Sequence, residues 1–182
     1  MDIQTFLDQS MVKMRTDRLA TSKQLLLGEL ILKLELVKGK DKPISFDFGM
    51  KVGQAMSWRG SYCELALGYS EKGGVESSWN SDTVSWESKD GEYKSYEQDA
   101  FKLPDNPTTQ DVLNMLKTVL DKEMVGYKGG DFLMHKDVAV YISNYSESTV
   151  DNYLGEEYAT VAPFDVVEGE DKVTILTQKV DY

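Results

Sequence analysis

At Pro43 the hydrophobic period of the chain switches from helical to strand-like, and that switch constrains the fold more than any other feature of the sequence. Upstream, Leu26, Leu30, Leu34 and Val37, flanked by Leu27 and Ile31, recur at spacings of three and four and form a wide apolar stripe. Thr21-Ser22-Lys23-Gln24 matches a capping box, which predicts a helix from about Ser22 to Val37 with Gly39 as its stop. Downstream, Ile44, Phe46 and Phe48 alternate with Ser45 and Asp47, the period of a strand with one face on a core.

The same reasoning places the remaining elements. Ile3, Phe6, Leu7, Met11 and Met14 fall on one stripe of an amphipathic N-terminal helix. Gly49–Gly60 lacks a clean period and reads as a loop. Tyr62–Tyr69 reads as a strand, with Cys63, Leu65, Leu67 and Tyr69 on one face and Glu64 on the other. Lys72-Gly73-Gly74 turns the chain. From Val75 to Asn106 the sequence is acidic and aromatic, and Val84 and Trp86 suggest a short exposed hairpin. Pro107-Thr108-Thr109 opens a helix to about Lys122, whose first-turn Asp111 suits the helix dipole. Asp131–Met134, Val138–Ser143, Tyr158–Val167 and Lys172–Val180 read as strands, the last two joined through Glu168-Gly169-Glu170-Asp171. Helical and strand runs are segregated rather than alternating, so the expected class is α+β: a mainly antiparallel sheet with helices packed on one side. A chain of 182 residues is short for two cores, so a single domain over 1–182 is expected, with an acidic, aromatic insertion at about 75–106.

Charge narrows the partners. Lys and Arg total 20 against 31 Asp and Glu, a net charge of -11, which repels phosphate backbones and anionic bilayers. Direct nucleic-acid binding and membrane association are therefore disfavoured. The apolar stretch Leu25–Val37 is interrupted by Gly28, Glu29, Lys33 and Glu35 and does not read as a bilayer span. No secretory signal is legible at Met1-Asp2-Ile3-Gln4, and lone Cys63 fits a reducing compartment, so a cytoplasmic location is expected. Ser146–Asp171 carries Glu147, Asp151, Glu156, Glu157, Asp165, Glu168, Glu170 and Asp171 with no Lys or Arg. It reads as a solvated acidic face, with a docking patch for a basic partner as the alternative.

Familiar catalytic templates are missing: no phosphate-binding glycine loop and no nucleophile elbow occurs. His135 sits in a turn-like Met134-His135-Lys136-Asp137 and reads as a surface histidine. With His135 and Cys63 the sole nitrogen and sulfur candidates of their kind, a zinc site is not expected, and no cofactor is implied. Two short segments nevertheless combine a cation, aromatic rings and glycine: Ser57-Trp58-Arg59-Gly60-Ser61-Tyr62 and Gly126-Tyr127-Lys128-Gly129-Gly130-Asp131. Arg59 and Lys128 would supply positive charge, Trp58, Tyr62 and Tyr127 a stacking surface, and Gly129 and Gly130 close backbone approach, which together suit a small anionic, nucleotide-like ligand. The competing structural explanation pairs Arg59 with Asp47 or Glu64 and assigns Gly129-Gly130 to a turn.

The segments Leu27-Gly28-Glu29-Leu30-Ile31, Phe46-Asp47-Phe48-Gly49, Ser57–Tyr62, Glu64-Leu65-Ala66-Leu67-Gly68-Tyr69 and Gly126–Phe132 resemble a family of small uncharacterised bacteriophage-encoded proteins. The likeness covers roughly Leu25–Tyr69 and Val112–Tyr145. It implies synthesis inside an infected bacterium and, by analogy, action on host defence or metabolism. Three functions follow as expectations. The first is a non-enzymatic binding protein that captures a small phosphorylated or nucleotide-like molecule or inhibits a host protein. The second is an enzyme on a similar ligand, using Asp47, Glu64 and Asp131 as acid, base or metal groups. The third is an acidic decoy of a nucleic-acid-binding surface.

Overall fold

The computed structural model describes residues 23–58, 64–74, 83–87, 93–97, 101–125, 131–143 and 150–180. The N-terminal stripe Ile3–Met14 lies outside them. The chain runs through α1 (Leu27–Leu36), β1 (Ile44–Phe46), β2 (Lys51–Trp58) and β3 (Glu64–Ser70) to a hairpin of β4 (Thr83–Glu87) and β5 (Tyr93–Glu97). There follow α2 (Thr109–Val119), a hairpin of β6 (Glu123–Val125) and β7 (Asp131–Leu133), and β8 (Val140–Ser143). A third hairpin, β9 (Val150–Tyr153) and β10 (Glu156–Ala159), precedes β11 (Val161–Glu168) and β12 (Val173–Lys179).

Six strands form the main sheet in the order β1-β12-β11-β8-β3-β2. The class is α+β, but the sheet is mixed: β1 with β12 and β3 with β8 are parallel, and the other three pairings are antiparallel. Parallel neighbours need long connections, and the chain supplies them, since β3 reaches β8 only through the β4–β5 hairpin, α2 and the β6–β7 hairpin. Local strand patterns carry no record of such non-local neighbours. The two edge strands, β1 and β2, are consecutive in sequence and joined by a tight turn in which Phe46 N donates to Met50 O at 2.8 Å. The sheet therefore curls towards a closed barrel.

Both helices bury their apolar stripes in one core. Leu27, Leu30, Ile31 and Leu34 of α1 and Val112, Leu113, Met115, Leu116 and Val119 of α2 join inward strand residues such as Phe46, Val52, Leu67, Ile142 and Ile175. Each such side chain removed from water contributes about 1.5–3 kcal/mol. The opposite face of the sheet holds a smaller cluster of Ala66, Ala139, Tyr141, Ala162 and Val180.

Three expectations are corrected. Helix α1 starts at Leu27, not near Ser22, because the preceding residues are extended: Leu25 N donates to Pro163 O at 2.8 Å and Val140 N donates to Leu25 O at 3.2 Å. Glu29 then accepts from the Leu26 amide at 2.9 Å, and the ammonium of Lys40 binds the C-terminal carbonyls of Leu34 and Glu35, each at 2.7 Å. The supposed loop after Gly49 contains β2. Its Val52, Gly53, Gln54 and Ala55 are all buried, so a strand covered on both faces loses the alternation by which strands are recognised. Finally, the insertion at 75–106 rejoins the fold before its expected end. It does contain the β4–β5 hairpin suggested by Val84 and Trp86, but Phe101 and Leu103 are core residues and Leu103 N donates to Gly53 O at 2.9 Å.

α2 begins as expected. Thr108 Oγ1 accepts from Asp111 N at 3.2 Å, and the Asp111 carboxylate accepts from Thr108 N at 2.8 Å, a reciprocal cap.

Candidate functional site

Of the residues in the two glycine- and aromatic-containing segments, Trp58 is described as the last residue of β2, opposite Glu64. Arg59, Tyr62, Tyr127, Lys128, Gly129 and Gly130 lie outside the described residues. Their flanks are well defined. The segment with Arg59 joins β2 to β3, and the segment with Lys128 joins β6 to β7, whose ladder ends with Val125 opposite Asp131. That ladder continues at its other end, where Met134 N donates to Lys122 O at 2.8 Å and Asp121 N donates to Met134 O at 2.9 Å. A turn closed by Val138 N on His135 O, 3.0 Å, then leads directly to Ala139, whose carbonyl accepts from Leu65 N at 3.1 Å. The starts of β3 and β8 are thus side by side, while the segment with Lys128 joins the opposite end of the β6–β7 ladder from the one that leads to β8.

Asp47 is elsewhere. It occupies the turn before β2, so the eight-residue strand, roughly 25 Å at about 3.3 Å per residue, separates it from Trp58 and from Glu64. Its carboxylate instead accepts from Thr177 N at 2.9 Å and from Thr177 Oγ1 at 2.5 Å. Because the threonine proton is committed to Asp47, the 3.1 Å contact between Thr177 Oγ1 and the Tyr153 hydroxyl is donated by tyrosine. This gives a hydrogen-bonded chain from buried Tyr153 through buried Thr177 to the exposed Asp47. Burial raises the Tyr153 hydroxyl above its ordinary pKa. Phe48 packs between the rings, stacked on Phe46 at 5.3 Å and meeting Tyr69 and Tyr153 edge-on at 5.6 and 5.8 Å. One expectation falls: Asp47 does not share a catalytic centre with Glu64, whereas Arg59, its other expected partner, lies outside the described residues. Nothing in the sequence announced Tyr153 or Thr177, which reach Asp47 only through tertiary contact.

Glu64 is wholly buried at the first position of β3, on the face of Ala66 and opposite that of Leu65 and Leu67. A carboxylate there needs a cation or donors to offset its desolvation. Asp131 opens β7. His135 is exposed, as its turn suggested, with Nδ1 3.2 Å from the Asp137 carboxylate.

The acidic segment is partly structural rather than simply solvated. Asp165 pairs with Lys33 of α1 at 2.7 Å, and Glu156 pairs with Lys179 at 2.5 Å. Glu168 accepts from Lys42 Nζ at 2.9 Å and from the amides of Lys38 and Gly39 at 2.8 and 2.9 Å. Lys42 first, then those two amides, hold the Glu168 carboxyl down to about 2. Lys33 does the same in direction for Asp165.

Among the described residues, no three His, Cys, Asp or Glu side chains are grouped to hold a metal ion. A cavity of about 190 Å³ lies between α2 and the segment 102–104, walled by Lys102, Pro104, Asp111, Asn114 and Thr118. It is below the roughly 300–1,000 Å³ of drug-sized ligand sites, and Asp111 is already committed to the α2 cap. Among the described residues no helix is long and apolar enough to cross a membrane. Comparison with protein-family models, curated proteins and solved structures gives no match.

Proposed function

We propose that this chain is a non-enzymatic binding protein of bacteriophage origin, working in the cytoplasm of the infected cell and capturing a small phosphorylated or nucleotide-like molecule. Trp58, Arg59, Tyr62, Tyr127, Lys128, Gly129 and Gly130 form the ligand site in this reading, with the two cations meeting the anionic group and the rings stacking on the planar one. The observation that carries it is that these two segments each join a cation, aromatic rings and adjacent glycine in a chain of net charge -11. A second observation supports it: Asp47, one of the two acids available to neutralise Arg59 in a structural tie, is taken by Thr177 at the far end of β2. The enzyme alternative keeps Glu64 and Asp131 but not Asp47, which lies at the other end of β2 from Glu64.

The test has two arms. Protein purified from expressing bacteria is denatured and any released small molecule identified by mass spectrometry. Arg59→Ala is then titrated with that molecule. A charged hydrogen bond contributes roughly 1.5–3 kcal/mol, so affinity falls about tenfold to a hundredfold while the melting temperature holds. A lower melting temperature with no Arg59-dependent ligand assigns Arg59 to Glu64 as a structural tie and removes the proposal.

A further inference from the structure

The β9–β10 hairpin displays an apolar side chain on a backbone that disfavours it. Its two turn residues, Leu154 and Gly155, have φ of 51° and 88°, and Asn152 just before them has φ of 53°. Two successive left-handed residues make the tight turn that suits a twisted hairpin, and Asn-Gly is the sequence that fits it. Leucine at the first position is strained, because its Cβ crowds the backbone. Nothing in the fold repays that strain, since Leu154 is 83% exposed. Tyr158, opposite Asp151, is 57% exposed.

The tip is held rigidly from below. Val150, Tyr153 and Ala159 are core residues, Tyr153 rests edge-on against Phe48, and its hydroxyl donates to Thr177. Asp151 N donates to the Tyr69 hydroxyl at 3.1 Å, and Glu156 meets Lys179. The apolar tip is ringed by Asp151, Glu156 and Glu157, with no Lys or Arg between Val150 and Ala159.

We propose that this hairpin is a docking finger for a second protein, with Leu154 entering an apolar pocket on the partner that is rimmed by Lys and Arg. A convex tip does not enclose a small molecule, and its carboxylates are repelled by anionic bilayers and nucleic acids. An apolar anchor inside a charged rim is the layout of a protein contact, in which the anchor supplies affinity and the rim supplies association rate and salt dependence. The finger is also remote from the proposed ligand site, because Tyr69 and Asp47 mark the end of the β2–β3 pair opposite Trp58 and Glu64.

The experiment places a benzophenone amino acid at position 154 of the full chain in bacterial cells, cross-links by light, identifies the adduct by mass spectrometry and titrates the purified partner. Leu154→Asn is the decisive variant, because asparagine relieves the turn. The melting temperature is expected to hold or rise, while affinity falls about tenfold or more. Glu157→Lys is expected to weaken binding and flatten its salt dependence, and Arg59→Ala to leave it unchanged, which separates this surface from the ligand site. Adducts only to copies of this chain, only to lipid, or to nothing overturn the proposal. So does a partner that binds Leu154→Asn as tightly as the wild type.

Discussion

Asp47 and Thr177, 130 residues apart, are joined by two hydrogen bonds to one carboxylate, 2.9 Å from the amide and 2.5 Å from the hydroxyl. The contact fixes the β1–β2 turn to β12, beside the parallel β1–β12 pairing. Asp47→Ala leaves the Thr177 amide without its acceptor and is expected to lower stability by about 1–3 kcal/mol. A double-mutant cycle with Thr177→Val is expected to show coupling of about 0.5–3 kcal/mol. Additive losses in chemical denaturation would mean the two residues act independently.

Glu168 gives the fold a defined acid sensitivity. Its carboxyl sits near 2, against the ordinary 4.5, chiefly through Lys42. A depressed carboxylate contributes stability that is complete above the unfolded value and disappears as pH falls through the folded one. The stability difference between wild type and Glu168→Gln is therefore expected to shrink between about pH 4.5 and 2. A difference that stays constant across that window, measured by urea titration at each pH, would contradict the clamp.

Glycines at positive φ are not equivalent here. At Gly49, φ is 91° and an added Cβ meets nothing within 4 Å, so Gly49→Ala is expected to lose only the backbone preference, about 1 kcal/mol. At Gly73, φ is 79° and the same Cβ would lie 2.5 Å from Pro107 Cδ and 3.2 Å from Pro104 O. Neither a proline ring nor a backbone carbonyl yields cheaply, so Gly73→Ala should destabilise by clearly more. Equal melting temperatures for the two variants would refute the close packing of this corner.

Along α1 the cost of truncation should follow burial rather than residue type. Leu34 is fully buried and Leu36 is 81% exposed. Leu34→Ala is expected to cost about 2–5 kcal/mol, and Leu36→Ala to stay within about 0.5 kcal/mol. Equilibrium unfolding of both variants measures the contrast, and similar losses would mean that the outer face of α1 is covered in solution.

Much of the element pattern was legible because it rests on local periodicity. The apolar stripes of α1 and α2, the opening of α2 at Pro107-Thr108-Thr109, the alternation in β1 and β3, and the turn at Gly169, where Gly169 N donates to Lys172 O at 2.8 Å, each depend on residues a few positions apart. β2 escaped because Lys51-Val52-Gly53-Gln54-Ala55-Met56 shows no apolar alternation although four of its residues are buried, and β6 and β9 also went unread. The start of α1 was misplaced because Leu25 satisfies its backbone on Pro163 and Val140, partners invisible to a capping rule.

The same division governs the site. Composition and motif identified which residues have the chemistry to hold an anionic ring, since charge, aromaticity and glycine freedom are properties of single side chains. Which acid stands near which cation is a property of register. Asp47 and Glu64 are equally plausible partners for Arg59 along the chain, yet the length of β2 puts one at each end of the sheet and the Thr177 contact commits the first. Leu154 looks unremarkable in sequence and is set apart only by its left-handed φ on an acidic hairpin. The sequence by itself determined the helices, the alternating strands and the side-chain chemistry available, because those follow from local sterics and hydrophobic spacing. The tertiary structure alone decided the mixed sheet order, the fate of Asp47 and the display of Leu154, because those depend on long-range pairing that no local pattern encodes.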